Sequence, residues 1–431
     1  MKSDFTIQQI SEDFCESVSK TIMSDKPIYV TEPSLPPLDE FTELLADIWE
    51  RKWITNNGYY HKLFEASLAR YLEVKHVSLF CNGMTALQVG LQALEITGEV
   101  ITTPFSFPAT THAIHWNHCT PVFCDINAQT CNLDPARVTA LITPKTTCIL
   151  PVHVYGNPCD INGIQEIAAK HGLKVFYDAA HAFGVRLKPD FTPAANETGP
   201  GNLLKTDGKN TCGTTKTSQS VLNFGDLSML SFHATKVFNT IEGGALITND
   251  EKMKQRIDNL KNFGFAGETS VLAPGTNGKM NELQAAYGLL QLKYIDAQIS
   301  RCHEITDLYQ QALSDIPGIR FQSDARGVIH NYSYFPIFIE ELDYGMQRDA
   351  LYSRLKDHGI FARRYFYPLI SNFPIYRNLK SAAHHNLPAA NRIAGQVLCL
   401  PIHPELKNSD QQKIIEIIRS CSRSKHEDFY G

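Results

Sequence analysis

The chain lacks any run of about 18 consecutive apolar residues, so its sequence predicts no membrane-spanning helix. Met1 to Lys26 is polar and mixed in charge, without the apolar core of a secretory signal, which gives the expectation of a cytoplasmic protein. No Cys-x-x-Cys pair is present and the cysteine count is 11, an odd number, which argues against a disulfide framework. Cys81, Cys124 and Cys148 stand inside apolar runs and read as small core residues carrying reduced thiols. Neither sign of charge dominates: a formal net charge of -5 argues against a nucleic-acid or membrane-surface partner. Internal repeats and low-complexity tracts are also missing. With 43% hydrophobic and 20% charged residues over 431 positions, the composition is that of a soluble globular protein with room for two domains.

Apolar spacing organises the chain. Residues 1–27 read as a peripheral arm or helix, followed by an extended, proline-rich stretch to Pro37. Phe41, Leu44, Leu45, Ile48 and Trp49 share one face of a helix expected over 38–52, and a second helix is expected over 60–72. Short apolar runs at 76–81, 99–103, 122–125, 148–152 and 174–178 then alternate with helical segments at 83–96, 107–116, 134–141 and 161–171. This alternation predicts an α/β fold with a mostly parallel central sheet and helices on both faces. Ligands of such sheets sit at the carboxyl ends of the strands, where Asn82, Phe105 to Phe107, His153, Asp178 and Ser231 to Lys236 all fall. Leu187 to Leu222, rich in polar residues, interrupts the alternation and reads as a surface insertion. Apolar runs at 227–232 and 245–248, a helix at 251–263 and a glycine-bearing loop to Gly278 complete a large domain, 28–280. One long helical stretch from Met280 to about Leu313 opens a smaller α+β domain, 281–431, with strands expected at 332–339, 360–364 and 397–400 and a helix at 346–359.

The chemistry centres on Lys236. It lies just past a buried strand, among small and hydroxylated residues, with a glycine turn after it. Burial or nearby cations would lower its pKa and make it a nucleophile; alone, it also reads as a solvated strand-end lysine. Asp178 ends the run Val175-Phe176-Tyr177 and is either a turn cap or an acidic partner for a bound group. A Schiff-base lysine with a carboxylate for a pyridinium nitrogen is the pair that pyridoxal phosphate requires. Asn82-Gly83-Met84-Thr85 turns from a strand into a helix, an anion site if its amides are free and an ordinary capped turn otherwise. Ser231 offers a second phosphate donor. Phe107, past another strand end, either covers one face of a cofactor ring or belongs to the core. His112, His115 and His118, with Cys119, have helical spacing, but no carboxylate accompanies them, and no metal site is expected.

These segments together resemble the DegT/DnrJ/EryC1/StrS family of sugar aminotransferases. The resemblance is carried by Thr103-Pro104-Phe105-Ser106-Phe107, Pro151-Val152-His153-Val154-Tyr155-Gly156 and Asp178-Ala179-Ala180-His181-Ala182-Phe183-Gly184. Ser231-Phe232-His233-Ala234-Thr235-Lys236 with Glu242-Gly243-Gly244, and Asn277-Gly278-Lys279-Met280-Asn281-Glu282, add to it. It implies a pyridoxal-phosphate-dependent transferase of fold type I, like aspartate aminotransferase. Lys236 is then the Schiff-base lysine and proton shuttle, and Asp178 the pyridinium partner. Phe107 stacks on the ring, and His181 lies near the phenolic oxygen. Gly83, Met84, Thr85 and Ser231 form the phosphate cup. Asn277 and Lys279 belong to a loop that reaches a neighbouring subunit's phosphate, which implies a homodimer with shared sites. Where the family usually has Gly-Thr-Ala-Ala, this chain has Gly83-Met84-Thr85-Ala86, and the insertion at 187–222 is longer than usual.

Within the family, Thr31 to Pro37, Trp53 to Gly58 and Phe232 to Gly244 look closest to bacterial enzymes that aminate C4 of dTDP-4-dehydro-6-deoxyglucose. The resemblance therefore implies a nucleotide-sugar substrate, an amino-acid donor such as L-glutamate, and a role in surface polysaccharide (O-antigen) synthesis. The alternatives are a 3-ketosugar aminotransferase, a sugar dehydratase (disfavoured by an intact Lys236), a non-catalytic regulatory protein on the same fold, and a desulfurase using Cys212.

Overall fold

Five helix starts among the described residues are set by short polar side chains. Asn82, Asp134, Asp160, Asp250 and Asn281 each accept a hydrogen bond from a backbone N–H of the first turn that follows, which satisfies a donor the helix itself cannot. Asn281 and Gln284 form a reciprocal capping box. The structure, a computed structural model, describes residues 26–192, 218–322 and 325–422. The expected N-terminal helix, most of the insertion and Cys212 lie outside them.

A seven-stranded sheet forms the large domain. Its order is His76–Phe80, Gly244–Thr248, Leu227–Ser231, Lys174–Asp178, Thr146–Leu150, Glu99–Thr102 and Thr120–Phe123. All pairings are parallel except those of Gly244–Thr248, which runs antiparallel to both neighbours. Strand alternation puts Val175 and Tyr177 in one core with Ile101, Ile149 and Leu230, and Phe176 in a second core with Val100, Leu150 and Met229. Both faces are therefore buried, under helices such as Gly83–Ala93 on one side and Tyr59–Leu72 on the other. Gly90 shows how close the first of these lies: a Cβ there would sit 2.5 Å from the Phe176 ring.

Several expectations are corrected. The stretch after Met280 is two helices, Glu282–Gln291 and Ile295–Leu313, not one. The first packs on Tyr59–Leu72 and the second on Asn408–Ser420 of the small domain, so the chain turns between two partners that periodicity cannot distinguish. The run expected as a strand over 360–364 is strand only at Ile360–Phe361, paired with Ile28–Tyr29, while Arg363 bridges Cys399 of the small-domain sheet. That sheet is Ile319–Phe321, Phe335–Ile339 and Val397–Leu400, all antiparallel. The strand expected from Tyr332 starts only at Phe335, because the preceding residues are drawn to the large domain: Asn331 Nδ2 donates to the carbonyls of His181 and Phe183, 2.9 Å each. The insertion is not loop at its ends. Arg186–Thr192 and Gln219–Ser220 are strands that join Arg326–Ile329 in a three-stranded sheet. No helix among the described residues is long and apolar enough to cross a membrane.

Candidate active site

The carboxyl ends of the central strands converge as expected. Asp178, the last residue of its strand, lies opposite Met229 of the neighbouring strand, whose end is Ser231. Its side chain is almost fully buried. One carboxylate oxygen accepts from Thr110 Oγ1 at 2.6 Å and the other from the Ala180 amide at 3.1 Å. Both partners are neutral. Burial pushes the Asp178 carboxyl above its ordinary pKa, opposed by these two bonds and by the nearby Lys236. A buried carboxylate with neutral hydrogen-bond partners fits a cationic ring nitrogen well.

Lys236 follows the strand Leu227–Ser231 by five residues, in a turn closed by Lys236 N–H to the carbonyl of His233 at 2.8 Å. Its Nζ lies 3.3 Å from the Tyr334 hydroxyl. Burial lowers its pKa from 10.5 to about 8, against the pull of Asp178. That is the range in which an amine is both nucleophile and base near neutral pH. His181, three residues past Asp178, is buried, and its Nδ1 accepts the Tyr155 amide at 3.2 Å. Burial, with Lys236 and His153 nearby, holds the imidazole well below its usual pKa, hence neutral. Its ring stacks on Phe366 and meets Tyr334 at 4.8 Å between centroids.

The turn expected to hold a phosphate is built by close backbone approach. Asn82 accepts from the Thr85 amide at 2.8 Å and starts the helix Gly83–Ala93. A Cβ on Gly83 would lie 3.1 Å from Ser231 Cβ and 3.3 Å from its Oγ, so glycine is what leaves space between the turn and the serine. Gly244 is pressed against the same turn, where its Cβ would lie 2.8 Å from the Gly83 nitrogen. Gly83, Thr85 and Ser231 thus meet at one helix N-terminus, a cradle suited to a phosphate. Met84 is in the same first turn. Phe107 stands at the N-cap of the helix Pro108–Trp116 and is 59% exposed, so it is not part of the core.

Asn277 and Lys279 are bonded to each other at 2.6 Å, and Lys279 lies over the Phe263 ring. Their segment runs beside the phosphate turn of its own chain: the Cys81 amide donates to the Gly278 carbonyl, and a Cβ on Gly278 would lie 2.9 Å from Thr85. Among the described residues no group of three or more His, Cys, Asp or Glu is arranged to hold a metal ion; His112 Nδ1 is bonded to the Tyr376 hydroxyl at 2.7 Å, and the His115 ring meets the same tyrosine edge-on. Thr110, Tyr155 and Tyr334 join the candidate site only in the structure. Thr110 had a local signal, one helical turn past Phe107; Tyr334 had none, since its contact with Lys236 spans the domains.

The profile of the DegT/DnrJ/EryC1/StrS aminotransferase family matches residues 38–419. The dTDP-4-amino-4,6-dideoxy-D-glucose transaminase of Escherichia coli is 48% identical over 396 residues, covering 92% of this chain and 99% of that one. Among solved structures, DesI in the presence of its TDP-sugar product superposes with a TM-score of 0.81 at 33% identity, covering 92% of this chain and 93% of DesI. Ntda from Bacillus subtilis, with bound cofactor PMP, does so with a TM-score of 0.75 at 26% identity, covering 89% and 81% of the two chains.

Proposed function

The chain belongs to the DegT/DnrJ/EryC1/StrS aminotransferase family, and from that premise we propose that it moves an amino group from L-glutamate to C4 of dTDP-4-dehydro-6-deoxy-D-glucose. The products are 2-oxoglutarate and dTDP-4-amino-4,6-dideoxy-D-glucose. The family's cofactor is pyridoxal phosphate. The observation that carries the chemistry is a partly buried amine with its pKa lowered to about 8, near a buried carboxylate, at strand ends that flank a candidate phosphate cradle. The choice of sugar is supported by the 48% identity to the Escherichia coli transaminase over nearly the whole of both chains.

Bound in this cleft, the cofactor supplies an electron sink for the bond to the donor's Cα hydrogen. Lys236 Nζ would carry the donor's Cα proton to the cofactor's C4′ in the first half-reaction, and in the second would take one from C4′ and give it to the sugar's C4. With a pKa of about 8, a useful fraction of Lys236 is neutral at pH 7 and its conjugate acid remains a competent donor. Asp178 holds the ring nitrogen's proton, and Thr110 and the Ala180 amide keep its carboxylate aimed. His181, neutral, offers an N–H to the phenolic oxygen. Gly83, Met84, Thr85 and Ser231 hold the phosphate, and Phe107 covers one face of the ring.

The reading includes a homodimer in the cytoplasm, serving surface-polysaccharide synthesis. Trp53, Ile54 and Phe263 are 56%, 54% and 49% exposed. They adjoin the segment 276–282 through Ile54 O to Glu282 N–H and Phe263 N–H to Thr276 O. A second copy covering this apolar surface would bring Asn277 and Lys279 to a neighbouring phosphate. Incubating the loaded protein with L-glutamate and the 4-ketosugar, then reading the product by NMR, tests the proposal. An amino group at C4, with one 2-oxoglutarate per sugar, is expected. Amination at C3, or no turnover, overturns it.

A further inference from the structure

Tyr155 sits in the loop after the strand Thr146–Leu150 with its backbone in the left-handed region, φ 59°. For a bulky side chain this conformation persists only where the surroundings impose it. Gly156 follows at φ 91°, and a Cβ there would lie 2.9 Å from the His181 carbonyl, so the loop is pressed onto the segment that carries His181. Two of the hydrogen bonds that Tyr155 makes from this position reach His181 and Tyr365. Its peptide N–H donates to His181 Nδ1 at 3.2 Å, and its hydroxyl donates to the carbonyl of Tyr365 in the small domain. The buried ring lies among Phe105, Phe366 and Tyr334.

The consequence for His181 is chemical. A nitrogen that accepts an N–H carries no proton, so the single proton of the neutral imidazole is on Nε2. The titratable groups that face this ring are Lys236, His153, Tyr155 and Tyr334, and burial together with Lys236 opposes a second proton. Nε2 has no hydrogen-bond partner among the described residues.

We propose that Tyr155 is a positioning residue: its strained peptide fixes His181 as the Nε2–H tautomer, and its hydroxyl ties that donor to the small domain at Tyr365. The acceptor, the cofactor's phenolic oxygen, rests on the proposed function; the tautomer does not.

The test uses the full chain with 15N-labelled histidine, in cofactor-free and loaded forms, with the His181 signals identified by their loss in His181→Asn. The Nε2–H tautomer is expected in both forms, unchanged between about pH 5.5 and pH 8. An Nδ1–H tautomer, or a doubly protonated ring in that range, overturns the proposal and needs no variant of Tyr155. Tyr155→Phe keeps the ring and removes the tie to Tyr365. Loosening a donor on the phenolic oxygen should raise the pH midpoint of the bound cofactor's visible absorption by about half a unit, the size of one ordinary hydrogen bond. A core-filling role alone would leave that midpoint in place, and an unmoved midpoint overturns the tie. A protein that binds no cofactor would refute the proposed function, while the cofactor-free spectrum would still decide the tautomer.

Discussion

Replacing Lys236 with methionine should make the cofactor-free protein more stable at neutral pH, not less. Lys236 has a pKa of about 8 in the folded chain against 10.5 unfolded, because burial outweighs the attraction of Asp178. A gap of that size corresponds to about 3 kcal/mol of disfavoured charge. Between pH 8 and 10.5 the unfolded chain holds a proton that the folded chain has released, so wild-type stability rises with pH across that window. Below pH 8 the wild type bears the full cost; above 10.5 it bears none; the methionine variant bears none at any pH. At pH 7.5 the variant should be ahead by about 1–3 kcal/mol, the lower values reflecting loss of the contact with Tyr334 and of the cation near Asp178. Its lead should then shrink by about 3 kcal/mol as pH rises to 10.5. Urea unfolding of the two proteins at equal concentration, followed by circular dichroism at several pH values, measures this difference, in which the other titrating groups cancel. A difference that does not change with pH, or one that grows with pH, would refute the electrostatic reading of Lys236.

Asp178→Asn preserves the shape of the strand end and removes its charge; the half-reaction with L-glutamate, followed by stopped-flow absorbance, should slow by about 100-fold or more. Thr110→Val deletes the 2.6 Å bond to the Asp178 carboxylate and should raise the cofactor's dissociation constant about tenfold in equilibrium dialysis, with little change in fold. Gly244→Ala places a Cβ 2.8 Å from the Gly83 nitrogen, so it should lower the thermal midpoint and weaken cofactor binding together. Gly172→Ala, at φ 67° with open space around it, should cost only about 1 kcal/mol of stability and leave binding unchanged.

What could be read from the sequence was whatever a short window encodes. Val175-Phe176-Tyr177 is apolar on both faces and ends in Asp178, so both the buried strand and the carboxylate at its tip were legible. The turn at Asn82, the cap at Asp134 and the strand before Lys236 were legible for the same reason. Distant contacts were not. Thr110 lies 68 residues from Asp178, and Tyr334 lies 98 residues from Lys236; the place of Thr110 one turn past Phe107 hints at the site but not at its partner, and Tyr334 has no local pattern at all. The break near Leu292 escaped notice because helical periodicity continues through it, and only the change of packing partner reveals it. The strands at the ends of the insertion have no signature in the sequence, because strands as short as Gln219–Ser220 depend on Arg186–Thr192 for their pairing, across a polar segment with no pattern of its own.

The account stands or falls on Lys236 as the amine that holds the cofactor. Reducing the pyridoxal-phosphate-loaded protein with borohydride and mapping the labelled peptide by mass spectrometry tests this directly. A single adduct on Lys236, absent after prior reaction with L-glutamate, is the predicted result. Labelling of another lysine, such as Lys279 or Lys261, or no labelling at all, would contradict it.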